Sequence, residues 1–137
     1  MSRVRWRLPV LLATLPAALL LPAHAAGVEW QKSYAQARQL ATRTKKPLLV
    51  EFYADWCGPC KAMAATTLKD KAVVKLTKKF VAVRVDVDKS PELAQRYNVA
   101  SIPYSVVLDQ NSKVVRSARG YMDAKQFCLF LKQSLPQ

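Results

Sequence analysis

Two apolar runs of strand length interrupt an otherwise mixed sequence. LLVEFYA, from Leu48 to Ala54, is nearly continuous, and FVAVRVDV, from Phe80 to Val87, is rich in β-branched residues. Runs of this kind suit strands buried on both faces. YSVVLD (Tyr104 to Asp109) and KVVRSARG (Lys113 to Gly120) flank the polar triplet QNS and predict two strands joined by a tight turn. Between the runs, apolar positions take helical intervals. VEWQKSYAQARQLATRTKK, from Val28 to Lys46, spaces Trp30, Tyr34, Ala37 and Ala41 as one helix face and stops before Pro47. A second helix is predicted from the cysteines near residue 57 to about Lys79, kinked or interrupted on the way. SPELAQRYN, from Ser90 to Asn98, opens with a serine at the N-cap and a proline at the first helical position. DAKQFCLFLKQSL, from Asp123 to Leu135, closes the chain as a helix with an acidic start. The order α-β-α-β-α-β-β-α predicts an α/β fold with a central mixed sheet. Helices cover both of its faces, and an antiparallel hairpin and a helix end it.

A chain of 137 residues has room for one domain with its own core. No repeat, low-complexity tract or internal linker divides it. The net charge of +13 is unusual, and part of it lies in MSRVRWRLPVLLATLPAALLLPAHAA at the start. Arg3, Arg5 and Arg7 precede an apolar segment from Leu8 to Leu21, and Ala23-His24-Ala25 forms an A-x-A ending. That order predicts a secretory signal peptide over residues 1 to 25, cleaved after Ala25. The alternative is an uncleaved membrane anchor, which the short apolar segment with Pro9 and Pro16 suits less well. Cleavage removes His24, the only histidine, and leaves three cysteines: Cys57, Cys60 and Cys128. Export leads to a compartment where disulfides persist, and an odd cysteine count argues against a purely structural framework.

Cys57 and Cys60 lie three apart at the predicted start of a helix, on one side and within disulfide reach. Unpaired N–H groups and the helix dipole at that end favour negative charge on the Cys57 sulfur, the nucleophile of disulfide exchange. Cys60, one turn inside, is expected to be more shielded and to act second. Pro59 is tolerated in the first turn, where N–H groups lack helical partners. Glu51 is a charge inside an apolar strand, where burial is expensive.

Trp56-Cys57-Gly58-Pro59-Cys60-Lys61, following a buried strand, resembles the thioredoxin active-site motif in full, and the element order resembles that fold. The resemblance covers roughly residues 29 to 135, making residues 26 to 137 the thioredoxin-like domain. It implies a redox-active Cys57–Cys60 disulfide and a cis peptide before Pro103 that lies against the cysteines. Ile102 is then the residue whose backbone pairs with substrate. Tyr104 stands where the family usually has threonine, placing a larger ring beside the groove. Glu51 takes the place of a buried acid that serves proton transfer to the inner thiol. Arg84 falls where a lysine usually lies close to that acid, so the pair is read either as part of a proton relay or as a buried ion pair. Trp56 is read as a wall of the docking surface, and Asp55 as a charge near Cys57 or a plain loop residue. YADWCGPCKAM, ATTLKD and RGYMDAKQFCLFL are similar to the C-terminal thioredoxin-like domain of the bacterial transmembrane thiol reductase that carries electrons into the periplasm. Ala65, where thioredoxins have a kinking proline, is shared with that branch.

These features imply a periplasmic thiol–disulfide oxidoreductase, a protein-disulfide reductase by its Gly-Pro dipeptide. It requires no organic cofactor or metal. Its implied partners are disulfide-bearing protein substrates and an electron-donating thiol reductase. Membrane contact is expected only if the N-terminal segment stays attached, as an anchor facing the periplasm. A disulfide-donating oxidase of the same fold, a metal carrier using the cysteine pair, and a redox-silent adaptor stand as alternatives. Cys128, within FCLFL, is expected to be a small buried core residue. Lys71, Lys75, Lys78 and Lys79 are read as a solvated helix face. Nothing resembles a nucleic-acid-binding motif.

Overall fold

The computed structural model describes residues 27–136; the expected signal peptide over residues 1 to 25 lies outside them. In chain order the elements are β1 (Trp30–Gln31), α1 (Tyr34–Thr44), β2 (Leu48–Tyr53), α2 (Gly58–Ala65) and α3 (Lys71–Thr77). They continue with β3 (Val81–Asp86), α4 (Pro91–Arg96), β4 (Tyr104–Leu108), β5 (Val114–Arg119) and α5 (Ala124–Gln133). The sheet runs β1-β3-β2-β4-β5, with β3 parallel to β1 and β2, and β4 antiparallel to β2 and β5. β2 is therefore central.

Alternation along the strands divides the core. Leu48, Val50 and Phe52 of β2, with Val81, Val83 and Val85 of β3, face a layer formed by Ala37 and Ala41 of α1 and Leu93 of α4. Leu49 and Ala82 face the opposite layer, formed by Met63, Val73, Phe127, Phe130 and Leu131. Helices thus cover both faces, as the element order predicts.

Two local differences from the sequence expectations have identifiable causes. The first helix starts at Tyr34, not Val28, because Ser33 caps it by accepting the Gln36 N–H at 3.2 Å. The preceding Trp30–Gln31 pairs with β3 as a short edge strand. The long segment after the cysteines is broken into α2, a 3-10 turn over Thr67–Lys69, and α3. Thr67 donates its hydroxyl to the Met122 carbonyl at 2.7 Å, tying the turn to a distant loop. Asp70 then starts α3 afresh by accepting the Ala72 and Val73 N–H groups at 2.8 and 3.2 Å. Ser90 occupies the N-cap of α4, as expected, without a side-chain cap bond. Lys71 and Lys75 are exposed on α3, which ends before Lys78 and Lys79.

Replacing Asp70 with alanine leaves two first-turn N–H groups unpaired. The variant is expected to lose about 1 kcal/mol of stability, seen as a lower urea midpoint with an unchanged slope. An unshifted midpoint would show that the cap contributes nothing.

Candidate active site

The C-terminal end of β2 delivers the chain through Ala54, Asp55 and Trp56 to Cys57, the N-cap of α2. Gly58 and Pro59 open the helix, and the Cys57 Sγ accepts the Cys60 N–H at 3.2 Å. The two sulfurs form a disulfide, with Cα atoms 5.3 Å apart. One sulfur thus accepts a helix N–H while bonded to the other. Once reduced, the same N–H groups and the dipole favour negative charge on Cys57. The expected difference in shielding is not seen in this oxidised form: Cys57 and Cys60 are 3% and 2% exposed. Ala54 packs with them, and Tyr53, Val87 and Ile102 close the cluster.

Ile102 joins this cluster through a cis peptide to the buried Pro103. The Pro103 carbonyl accepts the Gly120 N–H at 2.8 Å, and Gly120 sits at φ +87°, a conformation that glycine adopts without strain. Tyr104 corrects an expectation. Its ring does not border a groove but turns into the core, 5% exposed, stacked on Phe52 at 6.2 Å and beneath the Arg119 guanidinium at 5.0 Å. As the residue after Pro103 it enters β4 on the same face as Val106 and Leu108, so strand alternation buries it.

Glu51 is 1% exposed. Its Oε2 accepts the Ser105 hydroxyl at 2.5 Å, from the residue directly opposite on β4. Burial pushes the Glu51 carboxyl up to about 7, while the Ser105 bond and the Arg84 charge pull against that rise. Of the two readings of Glu51 and Arg84, relay or buried ion pair, the ion pair does not form among the described residues. The two residues are in register on β2 and β3, but the Arg84 guanidinium stacks over the rings of Tyr53 at 3.9 Å and Trp30 at 5.9 Å. Cation–π contact replaces the carboxylate as its partner, and the Arg84 Nε is buried without a hydrogen bond. Trp56 is 69% exposed, and its Nε1 donates to Asp88 Oδ2 at 2.8 Å. Among the described residues no group of three or more His, Cys, Asp or Glu side chains is gathered as a metal site.

The thioredoxin family model matches residues 29–133. The chain belongs to the thioredoxin family. It is a thioredoxin-like disulfide oxidoreductase carrying a Cys57–Cys60 disulfide. A thioredoxin-like protein of Synechocystis is 35% identical over 86 residues, covering 63% of this chain and 80% of that one. The thiol:disulfide interchange protein DsbD of Vibrio vulnificus is 37% identical over 98 residues, 67% of this chain but 16% of that much longer protein. Among solved structures, a thioredoxin from Thermus thermophilus superposes with a TM-score of 0.71 at 29% identity, covering 78% of this chain and 86% of that one. The oxidised C-terminal domain of Neisseria meningitidis DsbD gives 0.66 at 27% identity, covering 74% and 91%.

Within this thioredoxin fold Cys128 is half-buried on α5, not fully buried as expected, because the helix face turns past it to exposed Leu129. Burial and the Asp70 charge push its thiol up, away from the reactive thiolate. Sequence reasoning missed Ser105 and Asp88. The signal for Ser105 was present as a lone small polar residue inside YSVVL, matching the lone charge inside LLVEFY.

The buried acid makes stability depend on pH. Unfolded, Glu51 ionises near 4.5; folded, it holds its proton to about 7. Between those values the unfolded state binds fewer protons, so stability falls as pH rises through this window and levels off above it. Glu51→Gln is expected to lack this loss, gaining on the native protein by about 3 kcal/mol between acid and alkaline pH. Urea unfolding of the oxidised proteins across that range checks it; parallel curves would contradict it.

Proposed function

We propose that this chain is an exported protein-disulfide reductase. Residues 1 to 25 direct export and are removed, and residues 26 to 137 work in the periplasm. The supporting observation is the Cys57–Cys60 disulfide at the start of α2, with Cys57 Sγ accepting a helix N–H beside the Ile102–Pro103 segment. The similarity to DsbD of Vibrio vulnificus, and to the Neisseria meningitidis domain, favours the periplasmic branch of the family. Among the described residues no helix is long and apolar enough to cross a membrane.

In this reading the reduced protein acts. The Cys57 thiolate attacks one sulfur of a substrate disulfide, forming a mixed disulfide and releasing the other sulfur as a thiolate. Cys60 then attacks Cys57 Sγ. Its proton passes to Glu51, the Cys57–substrate bond breaks, and the substrate leaves with a second thiolate. Two electrons have moved to the substrate, and the Cys57–Cys60 disulfide has formed. A thiol reductase partner returns two electrons to restart the cycle.

Other residues support the exchange. Gly58 and Pro59 shape the first turn that holds Cys57. Ile102 and Pro103 offer backbone to an extended substrate segment, in the manner of an added strand. Trp56, exposed and anchored to Asp88, forms a wall of the docking surface. Arg84 supports the site by its charge near Glu51. The Tyr104 ring, buried in the core, takes no part in substrate contact.

Cys60→Ser removes the resolving sulfur and leaves the attacking one. It is expected to accumulate mixed disulfides with protein substrates, visible as reductant-sensitive adducts on gels and by mass. Cys57→Ser is expected to form none, and both variants to lose insulin reduction. Adducts on Cys57→Ser but not on Cys60→Ser would reverse the assigned roles; adducts on neither would overturn the exchange mechanism.

A further inference from the structure

β4 reads YSVVL, and each of its five residues is buried. Ser105 is its one small polar residue, beside the Tyr104 ring and the aliphatic Val106, Val107 and Leu108, and it is 1% exposed. A hydroxyl so placed costs stability unless it is bonded, and serine adds nothing to strand packing that valine would not. Its Oγ makes one hydrogen bond, to Glu51 Oε2. That bond is also the one hydrogen bond the Glu51 carboxyl receives from the described residues, so Oε1 carries none. The two polar residues of the two strands meet directly across the β2–β4 ladder.

Arg84 adds its charge nearby, but no described residue other than Ser105 donates a hydrogen bond to the carboxyl. Arg84 is in register on β3, but its guanidinium is committed to the rings of Tyr53 and Trp30. Asp86, further along β3, pairs with Lys89. The helices covering this side bring Met63 from α2, Val73 from α3 and Phe127, Phe130 and Leu131 from α5, with Cys128 of α5 partly buried beside them. Cys60 of α2 packs with Ala54 and Cys57 at the end of β2. Of these, only the cysteines carry ionisable groups, Cys60 once its disulfide is reduced. A carboxyl among such neighbours has one group to orient it and one donor to sustain its charge.

We propose that Ser105 is a positioning residue for disulfide exchange: its hydroxyl fixes the Glu51 carboxyl through Oε2 and sustains its ionised form in the core, leaving Oε1 to take the Cys60 proton. The inference rests on the relay assigned to Glu51 above. In the step it serves, Cys60 Sγ–H gives its proton to Glu51 as the sulfur bonds to Cys57 Sγ. The bond from Cys57 to the substrate sulfur breaks, and that sulfur departs with the electron pair. Charge-assisted bonds of this type are about twice as strong as neutral ones. Losing the hydroxyl therefore raises the pH at which Glu51 gives up its proton and slows resolution at neutral pH.

The test is single-turnover reduction of insulin by the pre-reduced protein, followed across the neutral pH range for the native chain, Glu51→Gln, Ser105→Ala and Ser105→Thr. The 13C shift of the Glu51 side-chain carboxyl is titrated in parallel. Native protein is expected to show a resolution inflection that Glu51→Gln abolishes. Ser105→Ala should move that inflection, and the carboxyl titration, upward by about one to two pH units. Resolution at neutral pH should slow about five-fold or more, recovering at alkaline pH. Ser105→Thr, which keeps the hydroxyl, should restore the native profile. A merely structural serine would lower stability without moving either titration. If alanine loses the fold, Ser105→Thr against Ser105→Val reads the same difference at nearly constant shape. Should Glu51→Gln abolish the inflection while Ser105→Ala leaves both titrations in place, the role of Ser105 is overturned and the relay stands. Should Glu51→Gln leave the profile unchanged, the relay itself fails, and the role of Ser105 with it.

Discussion

β2 is paired along both edges and covered on both faces, so every side chain it carries must be satisfied by protein. Apolar positions meet this demand by packing. Glu51 meets it through one serine on the facing strand and a nearby, unpaired arginine charge. The same burial that makes the acid expensive keeps it protonated until about neutral pH, where it exchanges protons readily. Rigidity matters here as much as polarity. A strand locked in register with β3 and β4 fixes where its last residues leave the sheet, and so where Cys57 begins α2.

The site therefore handles charge in two contrasting environments. At the start of α2, backbone N–H groups and the helix dipole receive negative charge on sulfur, with a proline that sacrifices no hydrogen bond. Inside the sheet, a carboxyl is surrounded mainly by apolar side chains. The first environment suits a sulfur that attacks and departs as an anion; the second suits an acid that takes a proton and returns it. Ile102, Tyr53 and Val87 shield both sulfurs of the disulfide, while Trp56 beside them stays on the surface, tethered to Asp88.

Much of this was legible in the sequence because it is written locally. The apolar runs at Leu48 and Phe80 became neighbouring strands, and the cysteines fell at a helix start. A charge within an apolar run marked Glu51. What local patterns did not reveal depends on pairing across the chain. The Trp30–Gln31 strand exists because β3 offers it an edge, and its residues also fit a helical interval. Ser105 acquires its meaning only from standing opposite Glu51. Tyr104 was placed by analogy beside a groove, whereas strand parity turns its ring inward. An ion pair with Glu51 is one of the two readings open for Arg84 in the sequence, yet two aromatic rings compete for it and hold it.

The central claim is that the reduced dithiol gives electrons to substrates, and the reduction potential of the Cys57–Cys60 couple tests it most directly. The purified protein is equilibrated against graded thiol–disulfide buffers, and the oxidised fraction is read by alkylation mass. A reductase predicts a value near the about −270 mV of thioredoxin. A value near the about −120 mV of the strongly oxidising DsbA would make the protein a donor of disulfides and contradict the account.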